Sequence, residues 1–248
     1  MKITKIGMVP CCLLGGLLAT QSLYAQITWT DEAAGVEATT VPGTITENFD
    51  SLATGNVTSA LVTPIGTLLN GAITTANEYG GAGGTGNFYV VGNNVNAGGG
   101  PTPVPGILTF NSPQSYFGMW WSAADSGING TAGNSVTFYD GATVLATLTT
   151  AQVTAGLSSF YLGNPSGSYA GQNNTQDYVY LDFYDTGGAT ITSVDFNNGD
   201  ASNSSGFEMD NFSILAAAPD LSGTLWLLGL GLSAVAAFGR RADKGFPG

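Results

Sequence analysis

Between Gln26 and Ala218 the chain has no Lys, no Arg and no His, because its five basic residues are Lys2, Lys5, Arg240, Arg241 and Lys244. Of the 17 acidic residues only Asp220 and Asp243 fall outside that span, so 15 lie inside it and its formal charge is −15. No internal salt bridge can form there. Ser-His-Asp, Cys-His, lysine-based and histidine-ligated metal chemistries each lack a required member. A phosphate backbone finds no cationic footprint, so nucleic acid is excluded as a partner. What remains is the chemistry of carboxylates, amides, hydroxyls and aromatic rings, which suits calcium and neutral polar ligands such as sugars.

Two carboxylate pairs, Asp182 with Asp185 and Glu208 with Asp210, have the composition of a glycosidase acid and base. Most such enzymes also hold sugar hydroxyls with Arg, Lys or His, so the span is read as non-catalytic. Aromatic residues offer a second chemistry. In Tyr178–Tyr184 strict alternation puts Val179, Leu181 and Phe183 on one face, and Tyr178, Tyr180, Asp182 and Tyr184 on the other. Rings beside a carboxylate make a sugar-stacking surface, to which Trp120 of the Trp120-Trp121 pair also belongs. The alternative for the same residues is that they fill the core or simply favour strands. Gly81-Ala82-Gly83-Gly84-Thr85-Gly86 spells the dinucleotide fingerprint, but a strand-like Asn87–Val91 follows it and no acid occurs between Glu78 and Asp125 to meet a ribose. It reads as a tightly turned loop.

The elements that must carry these residues are short runs of apolar and β-branched residues separated by Gly, Asn, Ser and Thr. Strands are expected at Ile27-Trp29, Thr44-Phe49, Asn87-Val91, Ile107-Phe110, Tyr116-Ser122, Ser135-Tyr139, Thr143-Thr149, Ser159-Leu162, Tyr178-Tyr184, Thr190-Phe196 and Phe207-Leu215. No stretch in the span sustains a helical period with caps. Asp140-Gly141 and Tyr184–Gly188 read as local hairpin turns, and residues 92–106, rich in Gly and Pro, as a long surface loop. The expected fold is all-β, an antiparallel β-sandwich of the jelly-roll kind, over residues 26–218.

Both ends differ from this body. Lys2 and Lys5, the apolar Ile6–Ala19 and the small Ala25 form a signal-peptide pattern over 1–25, which contains both cysteines, Cys11 and Cys12. A chain cut after Ala25 has no disulfide or zinc-thiolate site. Residues 224–239 are uncharged and as a helix would rise roughly 24 Å, a short transmembrane segment whose flanking Arg240 and Arg241 mark the cytoplasmic side.

The order of parts in 219–248 resembles the PEP-CTERM class of sorting signals, in its V-P-D-S-G variant. The matching residues are Pro219, Asp220, Ser222 and Gly223 in the motif 219–223, then the helix, then the basic cluster 240–241 and a short tail. Leu221 interrupts the motif. The resemblance implies processing by an exosortase-type membrane enzyme and a cell-surface or extracellular destination, with membrane anchoring at least in transit. A second resemblance lies at the ends of the body. Asn48-Phe49-Asp50 and Phe207–Phe212 are similar to the first and last strands of carbohydrate-binding-type jelly rolls, which implies Asp50 and Asp210 as ligands of a structural Ca2+. The segments Tyr116–Ser122, Ser135–Gly141 and Gly206–Phe212 also resemble exosortase-dependent surface proteins with a sandwich body. Two functions are therefore expected: a structural or adhesive surface component, or a lectin-like module for extracellular polysaccharide using Trp120, Tyr178, Tyr180 and Tyr184.

Overall fold

The computed structural model describes residues 27–92, 105–124, 133–199 and 206–215. Fourteen strands form two antiparallel sheets, and the only α-helix among the described residues is one turn at Thr150–Val153 (α1). The strands are β1 (Ile27–Asp31), β2 (Thr44–Glu47), β3 (Gly55–Asn56), β4 (Leu61–Val62), β5 (Gly66–Leu69), β6 (Ala72–Thr75) and β7 (Asn87–Gly92). They continue as β8 (Gly106–Gln114), β9 (Tyr116–Ala124), β10 (Ser135–Asp140), β11 (Thr143–Thr149), β12 (Asp177–Asp185), β13 (Ile191–Asn197) and β14 (Gly206–Leu215).

The first sheet runs β1-β12-β9-β14-β7-β6-β3, with β2 added beside the C-terminal half of β14; the second runs β11-β10-β13-β8-β5-β4. The all-β sandwich expected from the sequence is therefore present. Its core is the apolar face of each sheet. Val179, Leu181 and Phe183 point into it as alternation requires, with Met119, Trp121, Phe138, Phe196, Phe207 and Phe212 among their neighbours.

Three local expectations are corrected. Ser159–Tyr161 is a 3-10 turn, not a strand. Tyr184–Gly188 does not close a hairpin, because β12 and β13 lie in different sheets; Asp140-Gly141 does, with Asp140 opposite Thr143 and Gly141 at φ +57°. Four strands between Gly55 and Thr75 have no sequence signal, since they are two to four residues long, half of them Thr, Gly or Asn, and no apolar run within them exceeds two residues. Among the described residues no helix is long and apolar enough to cross a membrane. Residues 1–25, 219–248 and most of the 92–106 loop lie outside the described residues.

The outer face of the first sheet is also covered. All nine residues of β9 are buried. Trp120, Ala123, Tyr178 and Tyr180 form a second cluster there, roofed by Ala82. The segment joining β1 to β2 crosses the same face, with Thr39 bonded to Tyr116 and Asp182 and the Asn211 amide donating to the Glu37 carbonyl at 2.7 Å.

Candidate functional site

Asp210 sits mid-strand in β14, between β9 and the two strands on its other side. Pairing with β9 slips between Asp210 and Ser213, and Asn211 adopts φ +48°. This local irregularity re-aims the carboxylate as a bulge does. On the neighbouring strand, β2 ends at Glu47 and the chain turns through Asn48-Phe49-Asp50 with Phe49 at φ +59°, an unfavourable conformation for an aromatic residue. Two contacts hold it. The Glu47 carboxylate accepts the Phe49 N–H at 2.7 Å, and the Phe49 ring is fully buried, edge-on to Phe212 at 5.1 Å.

These two distortions bring Asp50 and Asp210, 160 residues apart in sequence, to one cavity of about 390 Å³. Glu37, Asn48, Asn211, Ala82 and Gly83 complete its polar and main-chain lining. The two acids implied by the sandwich resemblance are thus neighbours. Glu37 was not foreseen, since it lies in a connecting segment with no pattern around it.

The Gly-rich loop explains how three carboxylates can share this space. Its main-chain N–H groups point at all three: Ala82 donates to Asp210 Oδ2 at 2.8 Å, Gly83 donates to Glu37 Oε2, and Asn87 donates to Asp50 Oδ1 at 2.8 Å. Asn211 N–H adds a bond of 2.7 Å to Asp210 Oδ1, and Ser166 Oγ donates to Glu37 Oε1. A run of N–H groups in turned backbone forms an anion-binding concavity. Here it takes the protein's own carboxylates, the role that Lys and Arg would otherwise fill. The loop approaches so closely that a Cβ on Gly86, whose φ is +77°, would lie 1.8 Å from Asp50 Oδ1. Gly86→Val is accordingly expected to cost about 2–4 kcal/mol by combining backbone strain with displacement of Asp50. Denaturant unfolding measures it, and a loss below about 0.5 kcal/mol would show that the loop is not needed in this form.

Burial raises the Asp210 carboxyl well above its ordinary value; the Ala82 and Asn211 N–H groups oppose the rise, and the charges of Asp50 and Glu37 add to it. A cation would relieve that cost. Ca2+ takes about six to eight oxygens at roughly 2.3–2.6 Å. Among the described residues no group of three or more His, Cys, Asp or Glu is arranged to hold a metal. A cation here would therefore rest on Asp50 and Asp210 with amide and main-chain oxygens, a donor set of the kind calcium accepts.

The other expected residues fall elsewhere. Trp120, Tyr178 and Tyr180 are brought together, but at 1 %, 1 % and 0 % exposure they are not an open stacking surface. The two tyrosine hydroxyls are used internally: Tyr178 donates to the Glu78 carbonyl at 2.5 Å and Tyr180 to that of Asn211 at 2.9 Å. Tyr184 is half-buried, its ring 5.4 Å from that of Tyr116. The physical reason is the roof of connecting segments, which the alternation of a single strand cannot reveal. Asp182 is buried in the same layer, accepting from Tyr116 at 2.6 Å and Thr39 at 2.8 Å. Asp185, an odd number of residues away, leaves β12 on the opposite face and caps its own turn through Gly187 N–H. That pair cannot flank one glycosidic bond. Glu208 and Asp210 share a face, but Asp210 is 2 % exposed.

Comparison with protein-family models finds no match, and comparison with curated proteins finds none either.

Proposed function

We propose that this chain is an exported, non-catalytic surface protein with a structural or adhesive role, sorted by an exosortase-type enzyme, whose jelly-roll body binds a structural Ca2+ through Asp50 and Asp210. The observation that carries the sorting reading is how close the last described strand lies to the motif. β14 ends at Leu215, and the Pro219 motif starts after only residues 216–218. β14 is an interior strand, so a cut near Pro219 would leave the sandwich whole. The jelly-roll reading is supported by adjacency of β2 and β14, an early strand and the last, and by the non-sequential neighbours β12-β9-β14-β7. Calcium is supported by convergence of both implied ligands on one cavity.

The lectin-like alternative is the weaker reading, because three of its four rings are covered. Mass spectrometry of the protein recovered from cells tests the sorting reading. A C-terminus near Pro219 is the expected result. An intact Gly248 on the mature protein would reduce the tail to a plain anchor.

A further inference from the structure

Among the described strands the edges are β1, β3 and β2 in the first sheet and β4 and β11 in the second, and four of the five are blunted, β2 by its four-residue length and its terminal Glu47. β3 and β4 are two residues long, and β1 runs into the charges of Asp31 and Glu32. Short strands and edge charges are the usual protection against edge-to-edge pairing. The fifth edge has neither. β11, Thr143-Val144-Leu145-Ala146-Thr147-Leu148-Thr149, is seven residues long, contains no charge and no Pro, and pairs only with β10 among the described strands. Its exposed positions include Thr143, Val144 at 55 % and Thr147. One irregularity falls where Phe138 faces Ala146 but Tyr139 faces Val144, so Ala146–Thr149 stay in regular register. Residues 141–176, which hold β11, α1 and the 85 %-exposed Phe160, are uncharged throughout.

We infer that the free edge of β11 is a self-association surface that takes β11 of a second copy, antiparallel, about a two-fold axis near Ala146. A strand edge is matched by another strand edge, through main-chain hydrogen bonds that need no side-chain code. Charge selects the partner, and the antiparallel direction keeps its acids farthest apart. A body of charge −15 repels its own copies over most approaches, and β11 is the long edge at which two copies can meet without bringing acids together. Asp140 lies at the turn end of β11, and Thr149–Val153 at the other end is uncharged. Antiparallel pairing sets the two Asp140 residues roughly 20 Å or more apart along the strands, beyond the ~8 Å Debye length of physiological salt. Parallel pairing would bring them to roughly 14 Å, three strand spacings, at one end of the joined sheet. Within the antiparallel pair Thr143 faces Thr149, Val144 faces Leu148, Leu145 faces Thr147 and Ala146 faces its own copy, all uncharged, with the β-branched Thr and Val favouring strands.

The test is sedimentation of the protein as recovered from cells, in EDTA to remove cation bridges, at several sodium chloride concentrations. The expected result is a dimer that tightens as salt rises. Val144→Glu, a change at an exposed site, should weaken it by about tenfold or more. Hydrogen exchange gives a second readout: amides within 143–149 should slow with protein concentration in the parent and not in Val144→Glu. Phe160→Ser should leave the dimer unchanged. A monomer at every salt concentration overturns the inference, as does a dimer indifferent to Val144→Glu. A dimer lost only in Phe160→Ser would place the contact on the loop and overturn it too.

Discussion

Phe212→Ala is expected to destabilise the body by about 3–5 kcal/mol, the range for removing a fully buried Phe from a packed core. The ring is central to the aromatic cluster, 5.1 Å from Phe49, 5.3 Å from Phe117, 5.1 Å from Phe196 and 6.1 Å from Tyr89. Against a typical total of about 5–15 kcal/mol this is a large fraction, and it converts to a fall of roughly 6–20 °C in melting temperature for a domain of this size. The effect should reach the carboxylate site. Phe212 follows Asp210 and Asn211 in β14, and it packs on Phe49, whose positive φ sets the direction of Asp50. If calcium stabilises the parent, the variant should respond less to it. Thermal unfolding followed by circular dichroism checks both, and a loss below about 1 kcal/mol would mean that the surrounding rings close the void.

Melting in chelator is expected to be highest in mild acid and to fall as pH rises towards 8. The carboxyls of Glu47, Asp177, Asp182, Asp195 and Asp210 all lie above their ordinary values, with burial as the first cause in each. A body with no Lys, Arg or His has no cation to pull such a group down, and the hydrogen bonds that oppose the rise do not cancel burial. A raised folded-state pKa means that the folded form binds protons more tightly. The resulting stability is complete below the unfolded carboxyl range near about 4 and is lost as pH rises through the raised values. The slope is opposite to that of a protein whose acids are paired with cations. On the proposed calcium site, added Ca2+ should flatten it, because at neutral pH a divalent ion at Asp50 and Asp210 would do what protons do in acid. Calorimetry from pH 4.5 to 8, with EDTA and with calcium, decides the matter. A melting temperature that climbs with pH in EDTA would contradict the electrostatic picture, and identical curves with and without calcium would remove the ion.

The sandwich and the site were legible to different degrees, for identifiable reasons. Thr143–Thr149 has the same bounds in pattern and in structure, and Tyr178–Tyr184 and Tyr116–Ser122 fall within β12 and β9. Each combines β-branched or aromatic content with clear turn residues. The strands between Gly55 and Thr75 were invisible because their pairing comes from neighbours rather than from their own residues. Tyr180 and Trp120 mark a limit of another kind: alternation tells which residues share a face, but not that a second layer covers it. At the site, Asp50 and Asp210 could be paired only by resemblance, since no local pattern links positions so far apart. Glu37 and the donor role of Ala82, Gly83 and Asn87 depend on main-chain direction in loops, which side-chain identity does not encode.

The position of β14 has a consequence for the order in which the molecule can form. Without it the first sheet is two unconnected pieces, β1-β12-β9 and β7-β6-β3, with β2 left unpaired. The final ten residues of the described body are therefore the keystone, and the contacts they make reach back to Thr44 and Val91. Such long-range closure is slow and comes late. A chain crossing a membrane with its N-terminus leading would stay open, and so transportable, until Leu215 emerged, by which time residues 219–248 would be arriving at the bilayer. Completion of the fold and delivery of the address would then be a single event.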